Sequence, residues 1–369
     1  MKKRFLRDIA EIQTGPFGSQ LHKEDYVDVG TPIVTVEHLG SRVFSEQNLP
    51  MVSEADKSRL SKYVLKKGDI VFSRVGSVDR CSFVDQKHDG WMFSGRCLRV
   101  RPNEEVDSLF LYYFFCLNAT KEFVRSIAVG ATMPSINTKL LGEVEVICPE
   151  IKEQRKIADI LSKIDDKIEE NQKINENLEQ QTQAIYCDMF ITNANPSWQL
   201  GRLSDLITVR YGKDHKKLAD GIYPVYGSGG VMRYVEKPLY DKESVLIPRK
   251  GTLNNVMYVN KPFWSVDTMF FTEMKLPNVA KFVFHFVKSK DLASLNAGSA
   301  VPSMTTDILN AMKLPIPDAD TFYKFENIVA PLYQAMQQNA QESSKLAELR
   351  DSLLPRLMSG ELDVSSIDL

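Results

Sequence analysis

An arginine, any residue, a glycine and then a serine or threonine occur in this order twice in the chain, each time directly after a short apolar run. The first copy is Arg74-Val75-Gly76-Ser77 after "DIVFS", and the second is Arg249-Lys250-Gly251-Thr252 after "SVLIP". Glycine lets backbone amides approach a phosphate, and a guanidinium binds phosphate or the O6 and N7 atoms of guanine. A solvent-exposed arginine on an ordinary turn would have the same sequence pattern, but the recurrence of the pattern also favours nucleic-acid binding.

Two further segments combine basic and aromatic residues, "TGPFGSQLHK" at 14–23 and "RYGKDHKK" at 210–217. This mixture suits contact with a nucleic-acid backbone, although a solvated charge run is the alternative for any single lysine. The turn "YGSGG" at 226–230 offers bare amides and small hydroxyls, or is a plain hairpin turn. Together with the arginine loops these segments supply the predicted DNA-binding residues: Thr14, Phe17, Ser19, Lys23, Arg74, Ser77, Arg80, Arg210, Tyr211, Lys213, His215, Lys216, Lys217, Tyr226, Ser228, Arg249, Lys250, Thr252 and Asn254.

The sequence contains no convincing catalytic motif. "NPSW" at 195–198 departs from the N-P-P-[FYW] motif of amino-methyltransferases, because Ser197 replaces the second proline. "GSGGVM" places Met232 where a dinucleotide-binding fingerprint needs its third glycine. The five histidines and five cysteines lack metal-ligand spacing. We therefore predict no catalytic residue, no metal and no cofactor bound by this chain.

The cellular setting is predicted from cysteine usage and from apolar runs. The cysteine number is odd and has no C-x-x-C pair, which fits a reducing cytoplasm. The opening "MKKRFLRDIAEI" has basic residues without the apolar core of a signal peptide. No run approaches the roughly 18 apolar residues of a membrane span. These features predict a cytoplasmic protein without a membrane partner.

The residues above lie inside an internal repeat. "LRDIAEIQTG" at Leu6 aligns with "LSDLITVRYG" at Leu203, an offset of 197 residues, and the arginine loops align at an offset of 175. "GATMPSI" at Gly130 aligns with "GSAVPSM" at Gly298, and from there the offset stays at 168. Each block mixes short β-rich runs with helix-like recurrences, at 108–128 and 280–297. One scaffold is thus predicted to occur twice, with different surface residues.

Charge divides the chain into blocks and connectors. The formal net charge is +1 for 1–149 and +6 for 197–317, whereas it is −4 for 150–196 and −5 for 318–369. A polyanion would therefore meet the blocks and avoid the connectors. The predicted segments are two domains at 1–149 and 191–317 (with a short linker at 191–197), helices at 150–190 and 318–358, and a tail at 359–369.

The connectors predict a pair of packed helices. In each connector, apolar residues step by alternating four and three, with polar layers such as Asn171 and Asn339 at matching positions. This is the heptad pattern of two-helix packing, in which a polar layer fixes the register at some cost in stability. The predicted apolar seam residues are Ile157, Leu161, Ile164, Ile168, Leu178 and Ile185 in the first helix, and Phe325, Val329, Leu332, Met336, Leu346 and Leu353 in the second.

Chain order makes two such helices antiparallel if they pair. The predicted fold class is α+β, with two mixed α/β domains in tandem repeat joined by two long α-helices that form an antiparallel coiled coil. We expect a dumbbell with a pseudo-two-fold axis. About 30 helical residues would hold the domains ~45 Å apart, which suits a bipartite DNA site.

The chain resembles the specificity (S) subunit of type I restriction–modification enzymes over nearly its whole length. The most specific stretches are "PEIKEQRKIADILSKID" at 149–165 and "LRDSLLPRLMSGEL" at 349–362. The resemblance implies that the blocks are target-recognition domains, each reading half of a split site in double-stranded DNA. It implies helices that set the spacing and dock two methyltransferase subunits, with restriction/translocase subunits joining the complex. S-adenosylmethionine, ATP and Mg²⁺ would then be used by the partner subunits. Gln154 departs from the repeat, since Phe322 is its counterpart.

Two alternatives from other functional classes remain at this point. One is a non-catalytic tandem-repeat coiled-coil scaffold that binds protein partners, which the +6 charge of 197–317 disfavours. The other is an enzyme with a scattered nuclease or methyltransferase site. Failure to bind S-adenosylmethionine, or to cut DNA with Mg²⁺, would exclude it.

Overall fold

The computed structural model describes residues 2–295 and 303–364. The chain divides into two compact units, one formed by Met1–Glu170 with Glu342–Leu369 and the other by Asn171–Gln341. The "GSAVP" part of the second repeated turn, at 298–302, lies outside the described residues. None of the helices in the described ranges combines the length and the apolar character needed to cross a bilayer.

Strands and helices alternate along the chain. The strands are β1 Lys2–Phe5, β2 Ala10–Thr14, β3 Tyr26–Val27, β4 Thr31–Val34, β5 Met51–Val52, β6 Ile70–Ser73, β7 Cys81–Phe83, β8 Met92–Phe93, β9 Cys97–Pro102, β10 Glu145–Cys148, β11 Gln199–Arg202, β12 Ile207–Tyr211, β13 Asp220–Gly227, β14 Gly230–Val235, β15 Ser244–Pro248, β16 Met257–Val259, β17 Trp264–Ser265, β18 Met269–Met274 and β19 Lys313–Ile316. The α-helices are α1 Leu6–Ile9, α2 Glu54–Arg59, α3 Ser108–Cys116, α4 Asn118–Ser126, α5 Thr138–Gly142, α6 Ile151–Cys187, α7 Leu203–Leu206, α8 Ala280–Lys288, α9 Thr306–Ala311 and α10 Ala319–Met358.

The two units repeat one sheet plan. The first contains an antiparallel sheet in the order β2-β9-β6-β7, and the second contains β12-β18-β15-β16. In each unit a further strand pair is parallel, β4 with β8 and β13 with β17. The short helices α1 and α7 begin at Leu6 and Leu203, the pair aligned in the sequence. The predicted tandem repeat of mixed α/β domains is confirmed.

One helix packs against each sheet and closes a core. Helix α3 buries six aromatic and aliphatic side chains, and α8 is buried along nearly its whole length. The continuous helical pattern predicted over 108–128 is wrong in one respect, since Leu117 has an extended backbone that separates α3 from α4. The apolar recurrence in the sequence continues across this break, although the two helices differ in burial. Helix α3 is buried on nearly all sides, whereas α4 exposes charged residues. The helix predicted over 280–297 ends at Lys288 and is followed by turns up to residue 295.

The two long helices contribute to the core of each unit. Helix α6 ends in a π-helical turn at Asp188–Thr192. Within the first unit, Ile157 and Leu161 of α6 share a core with Leu354 and Leu357 of α10. In the second unit, Tyr186 of α6 contacts Phe325 of α10. The predicted seam positions are buried or half-buried throughout.

The direction of the two helices follows from their contacts. In the second unit the Asn339 side chain donates to the Asn175 oxygen (2.9 Å), and the Asn175 amide donates to the Met336 carbonyl (3.1 Å). Further along α6, Tyr186 meets Phe325, so residue numbers rise on one helix as they fall on the other. The helices are therefore antiparallel, as predicted, and Asn175 and Asn339 form a polar layer in their seam.

In each unit, the domain core is bonded to the long helices by a polar triad. In the first, the Tyr113 hydroxyl of α3 donates to Asp165 of α6 (2.7 Å), and Arg350 of α10 donates to the other Asp165 oxygen (2.7 Å). In the second, the His285 ring of α8 meets Gln183 of α6 (2.8 Å) through Nδ1 and the Tyr333 hydroxyl of α10 (3.0 Å) through Nε2. We refer to these two groups, Tyr113-Asp165-Arg350 and His285-Tyr333-Gln183, as the two polar triads.

The departure at Gln154 also has a structural explanation. Its side chain is buried, accepts the Asp107 backbone N–H (2.9 Å) and donates to the Pro149 carbonyl (3.0 Å). Phe322, its counterpart, instead packs against Phe282 of α8 with ring centroids 5.0 Å apart. A polar contact in one unit is thus replaced by an aromatic contact in the other.

Candidate nucleic-acid interface

The first arginine loop leaves the central strand β6. The Arg74 backbone N–H donates to the Arg96 carbonyl (2.8 Å), and the Arg74 carbonyl accepts from Ile136 (2.9 Å). Its guanidinium Nη1 donates to the Gly95 carbonyl (3.1 Å) and lies 5.9 Å from the ring centroid of Phe17, which is 61% exposed. Strand pairing and these bonds thus hold the arginine beside an exposed ring.

The second arginine loop repeats these contacts with different residues. The Arg249 backbone N–H donates to Thr268 (2.9 Å), and its carbonyl accepts from Met304 (2.9 Å). Nη1 donates to the Asp267 carbonyl (3.3 Å), and the guanidinium lies 5.4 Å from the centroid of Tyr211, which is 53% exposed. The two loops are therefore equivalent in structure, and each pairs an arginine with an exposed aromatic ring.

Glycines shape both loops. Gly76 and Gly251 have φ values of +74° and +85°, a conformation that side chains other than glycine rarely adopt. Gly15 and Gly212 follow β2 and β12, and a Cβ on either would collide with the carbonyl of Ser94 or Val266. This close approach brings the segments that carry Phe17 and Tyr211 against the arginine loops. The glycines at 15 and 212 were visible in the repeat, but their role depends on contacts between distant segments.

The arginine–aromatic pairs have a defined binding capacity. A guanidinium has five N–H groups, and within the described part of the chain each of these arginines donates one side-chain hydrogen bond to a carbonyl. The ring restrains the guanidinium plane by a cation–π contact. The remaining N–H groups suit two acceptors side by side, which a phosphate or the major-groove edge of guanine presents.

In the second unit several predicted residues converge on this loop. The Asn255 amide donates to the Ser228 carbonyl (2.7 Å), and Val266 donates its backbone N–H to the Tyr226 carbonyl (3.1 Å). A Cβ on Gly251 would lie 2.8 Å from the Ser228 hydroxyl. Burial raises the pKa of the Tyr226 hydroxyl above its ordinary value. Thr252 and Lys250 are exposed on the same loop.

The basic segment at 213–217 follows Tyr211 directly. The Lys213 backbone donates to the Ser265 carbonyl (2.8 Å), and its carbonyl accepts from the Trp264 indole (2.8 Å). The side chains of Lys213, Lys216 and Lys217 are exposed. His215 is half-buried, and its Nδ1 has no hydrogen-bond partner among the described residues. These lysines extend the positive surface beside Arg249.

Other predicted residues have local partners. Arg80 donates to the Leu39 carbonyl, and Arg210 forms an ion pair with Glu273 (3.0 Å). Asn254 donates to Asp291 (3.1 Å) and accepts the Ala293 backbone N–H (3.0 Å), so its amide stabilises a neighbouring turn. Thr14 is half-buried at the end of β2, and Ser77 is exposed. The side chains of Ser19 and Lys23 lie outside the described part of the structure. A DNA contact by any of these residues stays a prediction.

Within the described ranges 2–295 and 303–364, no three His, Cys, Asp or Glu side chains are arranged to hold a metal ion.

Comparisons with known proteins give one consistent family. A model described as "Type I restriction modification DNA specificity domain" matches residues 1–180 and 195–349. The Type I restriction enzyme MjaIX specificity subunit of Methanocaldococcus jannaschii is 23% identical, covering 98% of this chain and 93% of that protein. The HindI specificity subunit of Haemophilus influenzae is 22% identical over 82% of this chain and 88% of its own length.

A solved structure has the same fold. The crystal structure of a type I restriction–modification S subunit from M. genitalium aligns with a TM-score of 0.63 at 21% identity, covering 96% of this chain and 95% of the other. Because the family model matches most of the chain in two successive copies, this protein belongs to the family of type I restriction modification DNA specificity domains.

Proposed function

We propose that the chain is the DNA-specificity subunit of a type I restriction–modification enzyme, in which each recognition domain reads one half of a bipartite site. The observation that supports this most directly is the duplicated arginine–aromatic loop, built by equivalent bonds around Arg74 and Arg249. The duplication gives two DNA-binding domains that share the same loop structure. The different ring and flanking residues in each copy give the domains different preferences.

The proposal extends to partners. We propose that two methyltransferase subunits dock on the long helices α6 and α10, and that restriction/translocase subunits join them. In this assignment the chain itself is not catalytic. S-adenosylmethionine, ATP and Mg²⁺ are used by the partner subunits, and the chain is located in the cytoplasm. Family membership favours this function over a scaffold that binds only proteins.

The test is selection of DNA by the assembled complex. The full chain, co-expressed with a type I methyltransferase subunit from the same source, is incubated with a library of random duplexes, and bound sequences are recovered at two salt concentrations. We expect two short defined elements separated by a gap of fixed length, with affinity that falls steeply with salt. Binding to one contiguous element, or without sequence preference, would contradict the proposal.

A second arm separates recognition from catalysis. The isolated chain should bind DNA with strong salt dependence and transfer no methyl group from S-adenosylmethionine. Methyl transfer by the isolated chain would instead support a hidden active site.

A further inference from the structure

The hairpin of β13 and β14 has an exposed apolar surface in the second recognition domain. Ile222 is 78% exposed, Met232 61% and Tyr234 51%. Val225 and Val235 of the same strands are buried in the domain core. The hairpin therefore packs some of its side chains inward and presents large apolar side chains to solvent.

The strand geometry fixes Met232 in this position. Val225 pairs with Arg233, but the next residue, Tyr226, pairs with Val231, so Met232 is the extra residue of a β-bulge. Its sulfur lies over Gly227, where a Cβ would come within 2.5 Å. A bulge redirects a side chain from the regular alternation. Strand β14 is also the outer strand of the order β14-β13-β17, so the ribbon has a free edge.

The exposed apolar side chains are continuous with the candidate DNA interface. Met232 packs on Gly227, Ser228 follows it, and the Ser228 hydroxyl lies beside Gly251 of the arginine loop. On the other side, Arg233 donates to the Leu218 carbonyl (2.9 Å), which ties the ribbon to the end of the basic segment 213–217. The ribbon is thus in contact with the arginine loop through Ser228 and is bonded to the end of the segment that carries three exposed lysines.

This combination indicates which partner contacts the ribbon. A two-stranded β-ribbon fits the major groove of B-DNA, and the thymine methyl group is the apolar feature of that groove. A partner protein would not require the neighbouring lysines Lys213, Lys216 and Lys217. Resting on the function proposed above, we propose that β13–β14 enters the major groove of one half-site, where Met232, with Ile222 and Tyr234, reads thymine methyl groups.

The first experiment leaves the protein unchanged. The selected duplex is synthesised with each thymine of either half-site replaced in turn by deoxyuridine, which removes only the methyl group. We expect at least one position in the half-site of the second domain where binding by the full complex weakens about fourfold, the value of one buried methyl group. A half-site without thymine, or one insensitive to every replacement, would overturn the inference.

The second experiment uses Met232→Ala. This variant should bind the unmodified duplex several-fold more weakly and lose its sensitivity at the same thymine, because the apolar contact is already missing. The slope of affinity against salt should not change.

The matched control Lys217→Ala should reduce that slope by about one while keeping the thymine sensitivity. Weakened methyltransferase binding with unchanged DNA binding would assign the ribbon to a protein partner and overturn the inference. If the wild-type complex selects no defined half-sites, the proposed function itself has failed.

Discussion

At the scale of single residues, the two recognition domains use the same cation with different neighbours. Arg74 and Arg249 have equivalent backbone bonds and equivalent carbonyl partners, but the ring beside the first is Phe17 and beside the second is Tyr211. Phe17 follows Gly15 by two residues, whereas Tyr211 precedes Gly212. The aromatic partner is thus supplied from different sequence positions in the two copies. This fits an arginine whose orientation matters and not only its charge.

Replacing Arg249 by lysine tests this orientation. Lysine keeps the charge but loses the planar pair of donors, so Arg249→Lys should cost about 1–3 kcal/mol at one base position and relax specificity there. The salt slope should change little. Competition binding against single-base variants of the selected site measures both quantities. Uniform weakening at all positions would assign Arg249 to a phosphate instead.

His285 predicts a pH dependence of stability. Burial, with a contribution from Lys288, lowers the pKa of His285 from 6.5 to about 4. The ring is neutral in the folded protein, so its favourable contribution is complete above about pH 6.5 and is lost as the pH falls towards 4, by up to about 3 kcal/mol. The charged or polar groups around it are Lys288 of α8, Glu179 and Gln183 of α6, and Tyr333 of α10.

Thermal unfolding at pH 7 and pH 5 checks this prediction. His285→Gln should unfold at a lower temperature at pH 7, but its loss between the two pH values should be smaller than that of the wild type. His22→Gln, at an exposed histidine, is the control and should behave as the wild type. An unchanged pH dependence in the His285 variant would contradict the assignment.

At the scale of secondary-structure elements, the polar triads connect recognition domains to long helices at equivalent places. Asp165 and Tyr333 differ by 168 residues, the offset of the repeat. The bonding groups nevertheless differ, a carboxylate between tyrosine and arginine in one triad and an imidazole between amide and phenol in the other. Each recognition domain therefore fits its own pair of helix segments, and exchange of helix α3 for α8 alone would leave buried polar groups unpaired.

Removing the central carboxylate tests the first triad. Asp165→Ala leaves the Tyr113 hydroxyl and one Arg350 donor without their acceptor, so it should lower the free energy of unfolding by about 3 kcal/mol. Asp351→Ala is the matched control, because Asp351 also binds Arg350 (2.7 Å) but is exposed, and it should cost under about 1 kcal/mol. Chemical denaturation of the full chain measures both. Equal effects would show that burial does not distinguish the two carboxylates.

The polar layer of the helix seam predicts a gain in stability when it is removed. Replacing Asn175 and Asn339 together by leucine should raise the unfolding temperature, because a polar seam layer costs stability and acts by fixing the register. Asn175→Leu alone should be less stable than the double variant, since it leaves the Asn339 amide without its acceptor. Gln172→Leu, on the exposed side of α6, is the control. A double variant less stable than wild type would mean that the bond contributes more than the apolar packing that replaces it.

The seam and the repeat were predictable from sequence, and the arginine–aromatic pairs were not. A heptad pattern is local, so the half-buried positions of Leu332 and Leu346 follow from spacing alone. The contact of Arg249 with Tyr211 joins strands 38 residues apart and depends on how closely Gly212 approaches Val266. Similarly, the sequence around Asn254 does not indicate that the Asn254 amide stabilises the turn at Asp291. Surface polar residues resemble one another in sequence whether they are free or bonded.

For the whole molecule, we expect both α6 and α10 to set the length of helix that separates the two recognition domains. The two heptads centred on the bonded asparagines are 172–178 and 336–342. Deleting both keeps the seam matched and removes about 10 Å of each helix. We expect the complex to recognise the same two half-sites with a gap that is shorter by at most about three base pairs.

Deleting only 172–178 displaces the seam of α6 against α10 and should reduce stability and binding together. Methylome sequencing of cells that express each variant with its partner subunits measures the gap directly. A double deletion that keeps the original gap would contradict the spacer role of the helices while leaving recognition by the two domains intact.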